Sequence, residues 1–157
     1  MAWRDYRLTA PKPLSLHHKF IIEEGLDIHK KARQLFPDGV LIKGDNISAA
    51  KRTAELLINP KINTLFEGTF IIHHGITKAD IIRKNISGLE LYEIKSGLDP
   101  QEKYVDDLAY TTMVCIQAGL PLSKCSLLLL NRDYRFKMPV QTLFQEYDCT
   151  DEVLSRA

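Results

Sequence analysis

The sequence predicts an α/β fold in which a mixed β-sheet is flanked by helices. Residues 64–95 are rich in β-branched and aromatic residues and are interrupted at 73–75 and 85–88, which is typical of three strands joined by tight turns. A helix start follows at 99–102, and the apolar run at 126–130 reads as a buried strand. A strand, a long helix and a second strand form a parallel crossover, so parallel and antiparallel pairs are expected in one sheet.

The region before this meander is predicted to contain two helices and a short strand. Residues 1–14 are expected to be irregular, and Ser15 is a suitable cap for a helix that ends near Leu35. Val40 to Ile42 can form a short strand. A second helix, from about Ser48, is expected to stop before Pro60.

The region after the meander is predicted to open with a long helix. Asp99 is expected to cap it, with Pro100 at the first helical position, and Gly119 closes it. Residues 142–144 have helical character, and Thr150 is a plausible cap for a last helix. Only five residues follow Glu152, and a helix that short is marginally stable alone. Residues 140–157 are therefore interpreted as the possible start of a further region, or as the docking place of a protein partner.

Composition narrows the classes of protein. A chain of 157 residues suits one domain, here 1–157, and its net charge of +1 means that nucleic-acid binding needs a local basic patch. No apolar run reaches the roughly 18 residues of a membrane span, so no membrane contact is expected. The three cysteines include no CxxC pair, which excludes a disulfide framework. Cys115 and Cys125 are expected to be buried thiols, which favours a reducing, cytoplasmic location.

A group of acids and one lysine in the meander suggests metal chemistry. Side chains alternate along a strand, so Glu93 and Lys95 point the same way. Asp80 and Glu93 offer the oxygen ligands that Mg²⁺ and similar ions prefer, and the carbonyl of Ile94 can add another. Lys95 would place a fixed positive charge beside a metal-bound water. Glu67 is a further candidate, either as a ligand or as a base that orients the water.

The pattern resembles the PD-(D/E)XK nuclease superfamily, and within it the RecB-like branch. Asp80 is followed after twelve residues by Glu93-Ile94-Lys95, and residues 25–29 have the GxxxH form of that branch. The similarity covers about residues 21–134 and extends to an uncharacterised bacterial RecB-like domain. It implies a restriction-endonuclease-like sandwich, Mg²⁺- or Mn²⁺-dependent hydrolysis of DNA, and His29 as a metal ligand.

The chain departs from the family pattern at three points. Ala79 stands where many members have proline. The QxxxY motif of the long helix should fall at Asp107 and Thr111, and neither residue matches. The four cysteines of the iron–sulfur members are absent, so no iron–sulfur cluster is expected.

Each candidate also has a simpler interpretation. An acid and a lysine spaced like Glu93 and Lys95 can arise by chance on an amphipathic strand. His29 can be a partly exposed helix residue, Glu67 an exposed strand residue, and His73-His74 parts of a hairpin turn. The Asp106-Asp107 pair is assigned to a helix face outside the metal site, because acids there would repel phosphate. Two functions follow as expectations. One is a metal-dependent nuclease acting on DNA in repair, recombination or defence; the other is an inactive nucleic-acid-binding or scaffolding domain.

Overall fold

A six-stranded sheet with helices on both faces forms the centre of the protein in the computed structural model, which describes residues 28–157. The predicted irregular segment at 1–14, the cap at Ser15 and Gly25 lie outside the described residues. In chain order the elements are α1 Ile28–Arg33, β1 Val40–Leu41, α2 Asn46–Leu57, β2 Thr64–Ile72, β3 Gly75–Asn85, β4 Gly88–Ile94, α3 Glu102–Gln117, β5 Leu122–Leu130, a short 3₁₀ helix Val140–Thr142, β6 Phe144–Asp148 and α4 Thr150–Arg156.

The strands lie in the sheet in their sequence order, β1 to β6. β1 pairs with β2 and β4 with β5 in parallel, and the other three pairs are antiparallel. The α3 helix connects the parallel strands β4 and β5. The predicted meander, the predicted crossover and the mixed α/β sheet are therefore confirmed.

Two apolar clusters cover the two faces of the sheet. Ile82 and Leu91 belong to the cluster that packs under α2, α3 and α4, whereas their chain neighbours Ile81 and Tyr92 belong to the cluster that includes Ala32 of α1. Neighbouring residues of a strand point to opposite faces, which explains this division. Glu93, between Tyr92 and Ile94, therefore lies on the same face as Leu91.

The start of α3 differs from the prediction. Gln101 occupies the cap position and makes no side-chain capping hydrogen bond. The Asp99 carboxylate instead binds Arg132, with Nη2 and Oδ2 2.6 Å apart. A cap must lie next to the first helical turn, and here Asp99 lies two residues before Gln101. The α2 helix has a true side-chain cap, because Asp45 accepts a hydrogen bond of 2.9 Å from the backbone N–H of Ser48.

The chain after β5 also differs in part. The helical prediction for 142–144 holds only at Thr142, the last residue of the 3₁₀ helix, since Phe144 opens β6. β6 supplies hydrogen-bond partners to the outer edge of β5, from Ser126 to Leu130. A strand is therefore favoured over a longer helix at this place.

The last helix packs onto the rest of the described chain. Thr150 is its first residue and not its cap, and its hydroxyl accepts a hydrogen bond from the backbone N–H of Cys125. Val153 is fully buried, and Arg156 pairs with Glu102 and Asp106 of α3. The helix thus has a packing surface on α3, and docking of a further region or partner stays a prediction.

The cysteines and the lengths of the helices can be compared with the sequence analysis. Cys115, Cys125 and Cys149 are buried free thiols, as predicted for the first two. None of the helices within residues 28–157 is both long enough and apolar enough to cross a membrane.

Candidate metal centre

Three side chains from three different elements converge at one point. His29 of α1 lies with its Nδ1 3.7 Å from Oε1 of Glu67 on β2 and 3.8 Å from Oδ1 of Asp80 on β3. One ligand atom from each of these residues lies within 4.8 Å of the other two. That spacing allows one ion to be contacted by all three side chains after small rotamer adjustments.

The backbone of Glu67 is strained. Its φ is 60°, in the left-handed region, although it lies in the middle of β2. Phe66 pairs with Ile81 and Gly68 with Ala79, so Glu67 stands opposite Asp80. A non-glycine residue in this region costs about 1–2 kcal/mol. Strain of this kind is concentrated at functional sites, and here it sits beside the acid that faces Glu67.

Asp80 lies where β3 and β4 separate. The last residue pair between these strands is Ile81 with Tyr92, and beyond it the Asp80 carboxylate accepts a hydrogen bond of 2.8 Å from the backbone N–H of Ile94. The Asp80 carboxylate thus accepts the hydrogen bond that a neighbouring strand would otherwise accept from Ile94, and this bond holds the carboxylate in place. Burial raises the pKa of Asp80 to about 6, against the lowering effects of the Ile94 N–H and His29.

Glu93 brings a second buried carboxylate to the same place. Its side chain is 14% exposed, close to the 12% of Asp80. Burial, followed by the negative charge of Asp80, raises the pKa of Glu93 to about 8. Ionisation of both carboxyls is therefore costly in the metal-free protein, because burial disfavours the charged form.

Lys95, directly after β4, is the cation of the site. Its Nζ is 3.7 Å from Oε1 of Glu93 and 2.6 Å from Oδ2 of Asp107 on α3. It also lies 5.5 Å from the centre of the Tyr104 ring. Burial lowers the pKa of Lys95, but the hydrogen bond to Asp107 and the charge of Glu93 outweigh it and the net pKa is raised. Lys95 is therefore fully charged near neutral pH.

The approach of α3 to this lysine depends on Gly97. A Cβ atom at Gly97 would lie 2.6 Å from the Tyr104 hydroxyl. Only a residue without a side chain allows the tyrosine to lie there. Tyr104 and Asp107 are three residues apart and so lie on one side of α3, facing Lys95.

The structure gathers most of the residues that the sequence nominated. His29, Glu67 and Asp80 form one cluster, and Glu93 and Lys95 adjoin it from β4. Ile94 contributes its N–H to Asp80, and its predicted role as a carbonyl ligand is not tested. His73 and His74 lie at the β2–β3 turn with ring centres 4.4 Å apart, as expected for turn residues.

Asp107 is the residue that sequence reasoning left out of the site. It was assigned to a helix face because an acid repels phosphate, yet its carboxylate makes the closest polar contact of Lys95 among the described residues. One feature of the sequence could have indicated a role for Asp107 in the site. Asp107 occupies the position at which the QxxxY pattern of the family places a functional glutamine. Asp106, its neighbour, lies outside the site and pairs with Arg156.

The donor set fits a hard or borderline divalent ion. Carboxylate oxygens suit Mg²⁺ and Mn²⁺, and an imidazole nitrogen is accepted better by Mn²⁺. Asp80 and Glu93 both lie near Lys95, and Asp107 already binds that lysine. Burial, the largest cause of the raised pKa values of Asp80 and Glu93, makes their charged forms costly unless more positive charge is bound nearby. A divalent cation would supply that charge.

Comparison of the chain with protein-family models gives no match, and comparison with curated proteins gives none.

Proposed function

We propose that this chain is a metal-dependent nuclease that hydrolyses DNA phosphodiester bonds, on a sheet of the restriction-endonuclease-like type. The observation that carries the proposal is the convergence of His29, Glu67 and Asp80 beside Glu93 and Lys95. Attack of water on a phosphodiester needs an activated water and a positive charge beside the phosphate. Acids and an imidazole can hold a metal ion that activates the water, and a charged lysine can stabilise the phosphate.

Each side chain has a role in this proposal. A bound Mg²⁺ or Mn²⁺ would lower the pKa of a water and offset the phosphate charge. His29, Asp80 and Glu93, with the carbonyl of Ile94, hold the ion; Glu67 is a further ligand or orients the attacking water. Lys95 donates hydrogen bonds to the phosphate oxygens, where negative charge grows as water attacks.

Two contacts fix the geometry of these groups. The Ile94 N–H holds Asp80 in one orientation, and the Asp107 carboxylate holds the Lys95 ammonium. Both supports come from the backbone or from a helix packed on the sheet. A site supported in this way keeps its groups in position before substrate arrives.

A direct test uses linear and circular plasmid with Mg²⁺, Mn²⁺ or EDTA. The wild-type chain is expected to cut DNA with either metal and to be inactive in EDTA. Glu93→Gln is expected to lower the rate by about 100-fold or more, because it removes a charged ligand. Glu90→Gln is the matched control. Glu90 is a partly buried carboxylate near the start of β4, and it accepts a hydrogen bond from the Tyr92 hydroxyl.

The second candidate function is DNA binding without cleavage. The 2.6 Å ion pair of Lys95 with Asp107 favours it over cleavage, because it engages the lysine that the reaction needs. Retention of DNA on the chain in the absence of any cutting, with every metal, would decide for this candidate. Cutting that needs metal and Glu93 would decide for the nuclease.

A further inference from the structure

The loop between β5 and β6, residues 131–139, lies next to the candidate metal centre. Leu130, just before it, donates its N–H to the carbonyl of Gly97 at 2.9 Å, and Gly97 is two residues after Lys95. Arg132 of the loop pairs with Asp99 at 2.6 Å. Two contacts therefore tie the start of this loop to the segment that leaves the metal centre.

The loop is ordered by its own hydrogen bonds and by packing of Tyr134. The Asn131 side chain donates to the carbonyl of Thr142 at 2.9 Å, and the Tyr134 N–H donates to the carbonyl of Asn131. Tyr134 also packs on the cluster that contains Ala32 of α1 and Ile94 of β4. Its tip is thus presented from a fixed base.

The tip is a turn with an unfavourable residue. The Met138 N–H bonds to the carbonyl of Arg135 at 3.0 Å, so Phe136 and Lys137 are the central residues. Lys137 has a φ of 74°, a conformation that glycine adopts without strain and lysine does not. A turn that served only to connect two strands would be more stable with glycine there. The strain points to a use for the lysine side chain.

The side chains at the tip combine an aromatic ring with positive charge. Phe136 is 57% exposed, and Nζ of Lys137 lies 5.9 Å from the centre of its ring. The Arg135 guanidinium donates to the carbonyls of Arg132 and Tyr134, which fixes its position while the residue remains exposed. Asp133 is the one acid of the loop, against three cations.

We propose that this loop binds single-stranded nucleic acid and leads an unpaired end to the metal centre. Phe136 stacks on a base, while Arg135 and Lys137 contact the flanking phosphates. An exposed ring beside cations is the arrangement that binds single strands without sequence preference, because every base has a π-face. In a duplex the bases are already stacked on one another and offer the ring no face. The inference rests on the proposed function for its substrate, DNA with an unpaired end.

Binding of a short fluorescent oligodeoxynucleotide to the full chain, in EDTA, tests the proposal without cleavage. The single strand is expected to bind more tightly than the duplex of the same sequence. Phe136→Ala should weaken single-strand binding by roughly tenfold or more, as expected for loss of one stacked base. Ile86→Ala, which removes an exposed apolar side chain at the β3–β4 turn, should leave it unchanged.

Substitution of Lys137 separates binding from folding. Lys137→Gly relieves the strained φ, so its melting temperature should be equal to or above that of the wild type while affinity falls several-fold. Lys137→Arg keeps the charge and should keep the affinity. A loop with only a structural role would give the same melting temperature change in the glycine variant, but with unchanged binding.

Two outcomes overturn the proposal. One is equal binding of wild type, Phe136→Ala and Lys137→Gly; the other is binding to vesicles containing phosphatidylserine with none to the oligonucleotide. The result is independent of catalysis. Loss of single-strand binding in both variants supports the loop even if the chain never cuts DNA, and normal cutting with unaffected binding rejects the loop while the nuclease stands.

Discussion

Two buried carboxylates dominate the site at the scale of single residues. Asp80 and Glu93 are both less than 15% exposed, and burial is the largest cause of the raised pKa of each; the charge of Glu67 adds to it at Asp80 and the charge of Asp80 at Glu93. Their pKa values of about 6 and about 8 lie above the ordinary range of such groups. The folded protein without metal therefore holds protons that the unfolded chain releases.

This difference predicts how stability depends on pH. A carboxyl whose pKa is raised by folding stabilises the protein below its unfolded pKa, and that contribution is lost as pH rises through the folded pKa. The metal-free chain should become less stable from about pH 4 to about pH 8. Each tenfold difference in proton affinity between folded and unfolded chain is about 1.4 kcal/mol, so a loss of a few kcal/mol is expected.

Thermal or urea unfolding in EDTA across this pH range measures the effect. Asp80→Asn should flatten part of the dependence, because an amide does not titrate and its oxygen can still accept the Ile94 N–H. Addition of Mn²⁺ should restore stability most strongly at the alkaline end, since metal binding displaces protons. A stability that rises with pH in this range would contradict the description of Asp80 and Glu93.

His29 determines which metal is preferred, if it binds the ion together with Glu67 and Asp80. Imidazole favours Mn²⁺ over Mg²⁺. Calorimetric titration should show tighter binding of Mn²⁺ to the wild type, and His29→Ala should remove most of that preference while keeping some Mg²⁺ binding. His74→Ala, at the exposed β2–β3 turn, is the control. Unchanged relative affinities in His29→Ala would leave a site made of carboxylates alone.

At the scale of elements, β2 carries an irregularity that serves the site. The φ of 60° at Glu67 makes glycine the better residue there on conformational grounds. Glu67→Gly should therefore be more stable than Glu67→Ala by about 1 kcal/mol in the absence of metal. Ile71, an exposed β2 residue with an ordinary φ, is the control position. There the Ile71→Ala variant should be more stable than the Ile71→Gly variant.

The same two Glu67 variants report on metal binding. Both remove the carboxylate and should bind Mn²⁺ more weakly than the wild type. The glycine variant thus gains stability relative to alanine without recovering affinity. Equal stability of the two, or the alanine variant being the more stable, would show that the backbone at this position is regular.

Sequence patterns predicted the elements well where local signals were strong. The meander and the β4–α3–β5 crossover follow from β-branched runs, turns and the length of the connecting helix. The predicted cap at Asp99 is wrong because the helix begins only after Gln101, and a distant residue, Arg132, binds the Asp99 carboxylate. The strand β6 was missed because its sequence, from Phe144 to Asp148, gains its conformation by pairing with β5. Neither partner is visible in the local sequence.

At the scale of the whole molecule, the candidate centre exists because α1, β2, β3, β4 and α3 meet at one place. Spacing along the chain connects Asp80 with Glu93 and Lys95 through the family resemblance. It does not show that Asp107 binds Lys95, since the contact depends on how closely α3 packs and on the absence of a side chain at Gly97. Sequence spacing also does not predict the strained φ at Glu67.

The most direct test of the nuclease proposal compares two lysines. Lys95 and Lys124 each pair with a carboxylate, at 2.6 and 2.8 Å, and each lies near a tyrosine ring, at 5.5 and 5.1 Å. Of the two, Lys95 lies beside Asp80 and Glu93 of the candidate centre, whereas Lys124 lies opposite Glu90 near the start of β4. The measurement is the initial rate of linear DNA cleavage with Mn²⁺ by both alanine variants. Lys95→Ala should fall by about 100-fold or more with its fold intact, whereas Lys124→Ala should stay near the wild type. Equal rates for Lys95→Ala and wild type would contradict the proposed mechanism.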